Sequence, residues 1–267
     1  MRTKRINILS TFIFGLLTCW KTHAGEQDNW YLAKEWSLSS ASGIAYHENN
    51  ATGIGQIYVV CENSSRDIKV YDLNGSLARS ITIASNRYYP RDLVLDENGT
   101  IYIAERHAVT CLDNNGSFRW RKGRNATISN YGSSGSGDGE FNQAFGITVG
   151  TGKNLYICDY SNNRLQVLDR NGSFIRKFGT YGSAPGQFRY PHDVISLSDG
   201  TLAVGDSYYL HFFEQDGTFI KRVNTSNAQR YVSVSKDGSL FSYQRLRDQD
   251  GNQIAYLNNI NYNSRTC

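Results

Sequence analysis

A period of about 45 residues runs through the chain and restricts its fold more than any other feature. Four short apolar segments start at Ile57, Ile101, Leu155 and Leu202 (IYVVCE, IYIAE, LYICD, LAVGD), and each ends in a carboxylate: Glu62, Glu105, Asp159 and Asp206. A second apolar segment follows each one (IKVYD, VTCLD, LQVLD, LHFFE), and three residues past its acid comes Gly75, Gly116, Gly172 or Gly217. A further strand pattern precedes each pair (GIAY, DLVLD, GITVG, DVISLSD), and another follows each glycine. The linker after the first acid varies in length between copies, as hairpin tips tolerate and strand interiors do not.

Four antiparallel strands repeated at this spacing predict an all-β chain, a β-propeller of about five four-stranded blades. The expected blades run approximately over 42–80, 90–122, 141–178, 188–223 and 229–257. The fifth copy is degenerate. It keeps Tyr231–Val234 and Leu240–Tyr243, has Gln244 in place of the acid, then a polar tip RLRDQDGN before Ile254–Leu257, and has no outer strand in order. Residues 29–36 (NWYLAKEW) carry an outer-strand pattern, so the expectation is a ring closed by this N-terminal strand beside Ile254–Leu257. Closure would remove exposed sheet edges. The composition agrees with a turn-rich β chain: 18 tyrosines and 25 glycines against one methionine and three prolines.

The N-terminus reads as an export signal. Arg2, Lys4 and Arg5 precede the apolar run Ile6–Trp20, and Thr22-His23-Ala24 offers small residues for cleavage after Ala24. The expected domains are a signal over 1–24 and a propeller over 25–267, in a secreted or periplasmic protein with no membrane association after cleavage. The run is shorter than the ~20 residues of a span. Leu16-Leu17-Thr18-Cys19 offers a lipoprotein box as an alternative. Of the 28 basic residues, Arg2, Lys4, Arg5 and Lys21 leave with the signal, so 24 basic residues face 24 acidic ones. Net neutrality gives no electrostatic footprint for nucleic acid. Cys61, Cys111, Cys158 and Cys267 stay in the mature chain as disulfide partners or as buried thiols, and spacing does not choose between these.

Two copies carry more than periodicity. Tyr131-Gly132-Ser133, Gly139-Glu140-Phe141 and LYICDYSNNRLQVLDRNG (155–172) resemble the NHL repeat, and Gly182-Ser183, Gly186-Gln187-Phe188 and Tyr190-Pro191-His192-Asp193 repeat it. Asp159, Asn163, Arg164 and Gly172 fall on the motif's signature positions, and the resemblance extends over roughly 42–257. It implies a propeller that presents one rim to a protein, peptide, glycan or nucleic acid, and export with net neutrality argues against the last; the basic residues of the channel mouth add a small anionic ligand as an expectation, and a monomer without a cofactor is expected.

A residue that recurs once per blade serves the repeat, so Glu62, Glu105, Asp159 and Asp206 are expected to be structural, accepting hydrogen bonds at their hairpin tips. Arg164 is the expected partner of Asp159. The ligand site is expected where the residues vary, at the start of each first strand: Arg91, Asp92, His192, Asp193 and Arg230 should converge at one mouth of the central channel.

The alternative is a metal-assisted lyase or lactonase-like hydrolase at that mouth, with zinc or calcium. The peptidyl-hydroxyglycine amidating lyases have a similar propeller whose zinc histidines occupy this position, and only His192 matches, whereas catalytic zinc takes three protein ligands. His211 is expected to face outward from its strand. Gly137-Asp138-Gly139-Glu140 and Asp248-Gln249-Asp250-Gly251 offer oxygens to calcium without EF-hand spacing. Four sequons, at Asn74, Asn98, Asn115 and Asn171, are Asn-Gly-Ser/Thr and are explained by turn chemistry.

Overall fold

The computed structural model describes residues 16–21, 30–36, 41–49, 52–61, 67–83, 89–224, 232–234, 240–242, 245–247 and 253–256. These form five four-stranded antiparallel sheets, each built from consecutive strands, and a separate two-stranded sheet. Blade one comprises Ala41–Asn49, Ile54–Cys61, Asp67–Asp72 and Leu77–Thr82. Blade two comprises Pro90–Leu95, Ile101–Glu105, Ala108–Leu112 and Phe118–Gly123. Blade three comprises Ala144–Val149, Leu155–Asp159, Arg164–Leu168 and Phe174–Phe178. Blade four comprises Asp193–Ser196, Leu202–Gly205, Tyr209–Phe213 and Phe219–Asn224, and blade five Val232–Val234, Leu240–Ser242, Arg245–Arg247 and Gln253–Tyr256. The first strands of successive blades touch one another in order, which makes them the inner strands.

Blade five differs from expectation. Arg245–Arg247, expected in a polar tip, is its third strand, and Gln253–Tyr256 is its outer strand, in order along the chain. Only residues 243 and 244 separate Leu240–Ser242 from Arg245–Arg247, so the next apolar segment falls in fourth place. The ring closure expected from residues 29–36 is therefore corrected: Trp30–Trp36 pairs with Leu16–Lys21, not beside residues 254–257.

The core consists of layers between blades. Alternation along each second strand sends neighbouring residues into different layers, because successive strand side chains point to opposite faces. Ile101 and Ile103 pack with Val60, Ile68 and Val70 of blade one, while Tyr102 and Ala104 pack with Phe141, Ile147 and Leu155 of blade three. Tyr156 and Cys158 then meet Phe188, Val194 and Phe213 of blade four. Both faces of Ile101–Glu105 and Leu155–Asp159 are buried, and each large apolar side chain so enclosed contributes about 1.5–3 kcal/mol.

The turn between third and outer strands shows how a short motif fixes a blade and its neighbour together. Asp169 Oδ1 accepts from the backbone N–H groups of Asn171 and Ser173 at 2.8 Å each, and Gly172 N donates to the Asp169 carbonyl at 3.0 Å. Asp72 and Asp113 repeat the pattern. The left-handed residue is the glycine, with φ of 82° at Gly172, and a Cβ there would come within 2.9 Å of the Trp120 ring of the preceding blade. Trp120 Nε1 in turn donates to the Arg170 carbonyl at 3.0 Å.

Candidate functional site

Each inner strand begins, and each second strand ends, on one side of the propeller, called here the entry face. The strand-ending acids sit just beneath it. Asp159 is fully buried. Its Oδ1 accepts from Asn142 N at 2.8 Å, and its Oδ2 accepts from Arg164 Nε at 2.8 Å and Gln166 Nε2 at 3.0 Å. Asp206 Oδ1 accepts from Tyr208 N and Tyr209 N at 2.8 and 2.7 Å, and Oδ2 accepts from Arg189 N at 2.9 Å. Glu105 is paired with the buried Arg121 guanidinium at 3.1 Å and accepts from the Thr110 hydroxyl. Burial pushes the Glu105 and Asp159 carboxyls up against the lowering effect of these donors. Burial also raises Asp206, but His211 and backbone N–H groups outweigh it and the net direction is down. Asp159 and Asp206 thereby tie hairpin tips to the loops that enter the inner strands, whereas Glu105 ties the third and outer strands of its own blade. Glu62 lies outside the described residues.

His211 contradicts its expected outward orientation. It is fully buried, with Nε2 3.1 Å from Asp206 Oδ2, among the rings of Phe188, Phe213 and Tyr209. Register explains this. Lys69, Thr110, Gln166 and His211 all pair opposite the middle of a second strand, and the last three reach that blade's acid.

The variable positions divide into two groups. Asp92 and Asp193 belong to the scaffold: Asp92 Oδ2 accepts from Ile147 N of blade three at 3.0 Å, and Asp193 Oδ2 accepts from Val232 N of blade five at 2.7 Å. The other oxygen of each accepts from the next residue's N–H, in Leu93 and Val194. Glycine stands opposite each aspartate, because a Cβ on Gly43 would lie 2.6 Å from Asp92 Cα and one on Gly146 2.6 Å from Asp193 Cα. Burial raises both carboxyls, Asp193 to about 7, and the Asp193 charge raises Asp92 further.

Arg91 and His192 instead join an aromatic run across blades two to four. The Arg91 guanidinium lies 5.0 Å from the Phe145 ring centroid. Phe145 meets Tyr160 at 4.8 Å and His192 at 5.6 Å. Tyr160 stacks on Tyr190 at 5.0 Å and meets His192 edge-on at 4.8 Å. The His192 Nδ1 lies 2.7 Å from the Tyr190 carbonyl. Two further arginines repeat the arrangement, Arg106 over Tyr89 at 5.9 Å and Arg189 over Tyr208 at 5.4 Å. Arg230 lies outside the described residues.

Sequence reasoning missed the tyrosines, although they leave a signal. Tyr89 and Tyr190 directly precede Pro90 and Pro191, while Tyr160 and Tyr208 follow the strand-ending acids Asp159 and Asp206 by one and two residues. Backbone strain marks the same face. Gln143 and Tyr190, each two residues before the variable Phe145 or His192, have φ of 64° and 59°, and Asn163, which accepts from Tyr190 N at 2.9 Å, has φ of 54°. Left-handed non-glycine residues cost free energy and cluster where a surface has a use.

Among the described residues no group of three His, Cys, Asp or Glu side chains is arranged to hold a metal ion. Cys111 and Cys158 are free and buried, in separate inter-blade layers, and burial pushes the Cys111 thiol up to about 12. Cys61 is free and partly buried, and Cys267 lies outside the described residues.

No family model matches the chain. It is 25% identical over 136 residues to the Drosophila melanogaster protein brain tumor, covering 46% of this chain and 13% of that protein. It is 42% identical over 69 residues to the Caenorhabditis elegans RING finger protein nhl-1, covering 26% of this chain and 7% of the relative. The chain thus spans only a small part of the curated relatives it matches. Virginiamycin B lyase from Staphylococcus aureus superposes with a TM-score of 0.58 at 13% identity, over 80% of this chain and 69% of that one. A protein of unknown function from Bacteroides caccae superposes with a TM-score of 0.63 at 12% identity, over 95% and 93%. The structural likeness is one of fold. Homologues carrying NHL repeats and propeller neighbours agree with the repeat motif found in the chain.

Proposed function

We propose that this NHL-repeat β-propeller is an exported binding module that holds a protein, peptide, glycan or small anionic ligand on its entry face. The observation that carries the reading is the continuous run Arg91, Phe145, Tyr160, His192 and Tyr190, built from three blades over a rigid hydrogen-bonded base. Protein binding is the use to which NHL-repeat relatives point. Aromatic side chains give large contact area for little conformational entropy, and arginine adds directional hydrogen bonds. Asp92 and Asp193 support this surface from below.

The test compares immobilised wild-type protein with Arg91→Ala and His192→Ala, capturing partners from the medium of its source cells and quantifying them by mass spectrometry. The partner recovered by the wild type should bind each variant about tenfold more weakly, a difference of ~1.4 kcal/mol. Melting temperatures should stay nearly the same, since such truncations cost little stability. Equal capture by both variants would refute the reading.

Export rests on the Ile6–Trp20 run and the Ala24 cleavage position. Cleavage there would remove Leu16–Lys21 and take from Trp30–Trp36 its paired strand. N-terminal sequencing of secreted protein should start at Gly25. Recovery of Met1 would overturn export with cleavage, and a diacylated Cys19 would establish the lipoprotein form.

A metal-assisted lyase or lactonase-like hydrolase is the second reading. It draws on the fold shared with virginiamycin B lyase and with a gluconolactonase from Xanthomonas campestris, the latter at a TM-score of 0.54 and 15% identity over 70% of this chain and 65% of that one. Zinc or calcium at one equivalent per purified chain would favour it.

A further inference from the structure

The two faces of the propeller differ in how their charged residues are used. The turns opposite the entry face carry Asp72, Asp96, Glu97, Asp113, Asp169 and Asp216, but Asp96 is buried, Glu97 pairs with Lys153 and Arg170, and Asp72, Asp113, Asp169 and Asp216 accept backbone N–H groups within their turns. On the entry face the strand-ending and channel-mouth acids are consumed internally, Glu105 by Arg121, Asp159 by Arg164, Asp206 by His211 and backbone N–H groups, and Asp92 and Asp193 by N–H groups of neighbouring blades, while the exposed Asp138 is ion-paired with Lys177 at 2.7 Å. What that face offers outward is arginine laid on tyrosine. Arg106 is exposed over Tyr89, and Arg189, over Tyr208, has a buried Nε without a hydrogen-bond partner. Tyr89, Tyr181, Tyr190 and Tyr208 are 39%, 63%, 43% and 49% exposed, an unusual concentration of large side chains on one side of the molecule.

From this pattern we infer that the entry face of blades two to four recognises an extended acidic peptide segment that carries aromatic side chains. The inference rests on the binding-module reading above and adds the chemistry of the partner. A guanidinium whose flat face lies on a tyrosine presents its N–H edges sideways, in the fork geometry that matches a carboxylate. The exposed tyrosines between the arginines supply surfaces on which a partner's aromatic or aliphatic side chains stack. A single-stranded nucleic acid would call for a continuous basic groove that follows its backbone. Here Arg106 and Arg189 sit on different blades, each against its own tyrosine, which suits scattered carboxylates better than a regular run of phosphates.

Fluorescence anisotropy with the full mature chain tests this. The probes are a fluorescein-labelled Glu–Tyr copolymer, a Lys–Tyr copolymer, a Glu homopolymer and a thymidine oligonucleotide of matched charge. The Glu–Tyr copolymer should bind tightest, and raising salt from about 50 to about 500 mM should weaken it, as screening of exposed charges requires. The double variant Arg106→Glu, Arg189→Glu should bind at least tenfold more weakly, and the charge-neutral Arg106→Gln, Arg189→Gln should fall between. The second variant keeps the test valid if the first fails to fold. Glu48→Lys, exposed on the opposite face, should bind as the wild type does.

Tighter binding of the oligonucleotide or the Lys–Tyr copolymer, absence of binding at ~100 µM, or equal binding by both arginine variants would each overturn the inference. These outcomes leave the wider reading standing as long as Arg91→Ala and His192→Ala reduce capture. Loss of that dependence overturns the wider reading itself.

Discussion

Replacing Asp193 by asparagine should convert a structural feature of the channel into a measurable pH dependence. Folding raises the Asp193 carboxyl from 3.8 to about 7, chiefly through burial, with the backbone N–H groups of Val232 and Val194 acting in the lowering direction. Between these two values the folded chain binds more protons at this site than the unfolded chain. Stability from this site is therefore full below the unfolded value and is lost as pH rises from there through the folded one. The total is about 4 kcal/mol, at roughly 1.4 kcal/mol per pH unit. The asparagine would keep one acceptor oxygen for two N–H donors, so one donor loses its partner at a cost of ~1–3 kcal/mol, but the variant has no charge to bury. The stability difference, wild type minus Asp193→Asn, should thus be most favourable to the wild type below about pH 4, and should fall by up to ~1.4 kcal/mol per pH unit, with the variant becoming the more stable protein towards pH 7, before levelling off. Because Asp92 is raised by Asp193 as well as by burial, the pair titrates jointly and spreads the change over a wider range. Urea denaturation of both proteins from about pH 5 to about pH 9 measures the difference directly. A constant difference across this range would refute the raised carboxyl.

Three further outcomes follow from the packing. Gly146→Ala would set a Cβ 2.6 Å from Asp193 Cα and 2.9 Å from the His192 carbonyl, so it should lower stability by more than ~2 kcal/mol in thermal melts, and a near-normal melt would argue against this contact. His211→Phe keeps the volume of a fully buried ring but takes a hydrogen bond from Asp206, and should cost about 3 kcal/mol by urea denaturation. Cys111 and Cys158, both buried with raised thiols, should react with a thiol reagent at the rate of unfolding and no faster, which stopped-flow mixing in graded urea can establish.

The repeat, and with it the sheets, was legible in the order of residues alone. The continuous apolar runs IYIAE and LYICD demand that both strand faces be covered, and stacking of like blades covers them. The once-per-blade recurrence of Glu105, Asp159 and Asp206 likewise identified them as parts of the repeat, and in the structure all three are buried. Turn chemistry was equally legible because Asp169, Asn171 and Gly172 act within four residues of one another.

The remaining features depended on partners far along the chain. Asp92 has the sequence context of a polar residue at a channel mouth, but its oxygen is used by Ile147, 55 residues later, and Asp193 is used by Val232, 39 residues later. The inward turn of His211 was hidden because alternation alone does not say which strand face meets an acid from the neighbouring strand. The outer strand of blade five was obscured because a three-residue strand carries too little pattern to outweigh its charged residues, and pairing with Leu240–Ser242 decided it. How the two faces use their charges was hidden for the same physical reason. Composition counts every carboxylate equally, whereas the folded chain buries Glu105, Asp159 and Asp206 beneath the entry face and pairs Glu97 with Lys153 and Arg170 on the other.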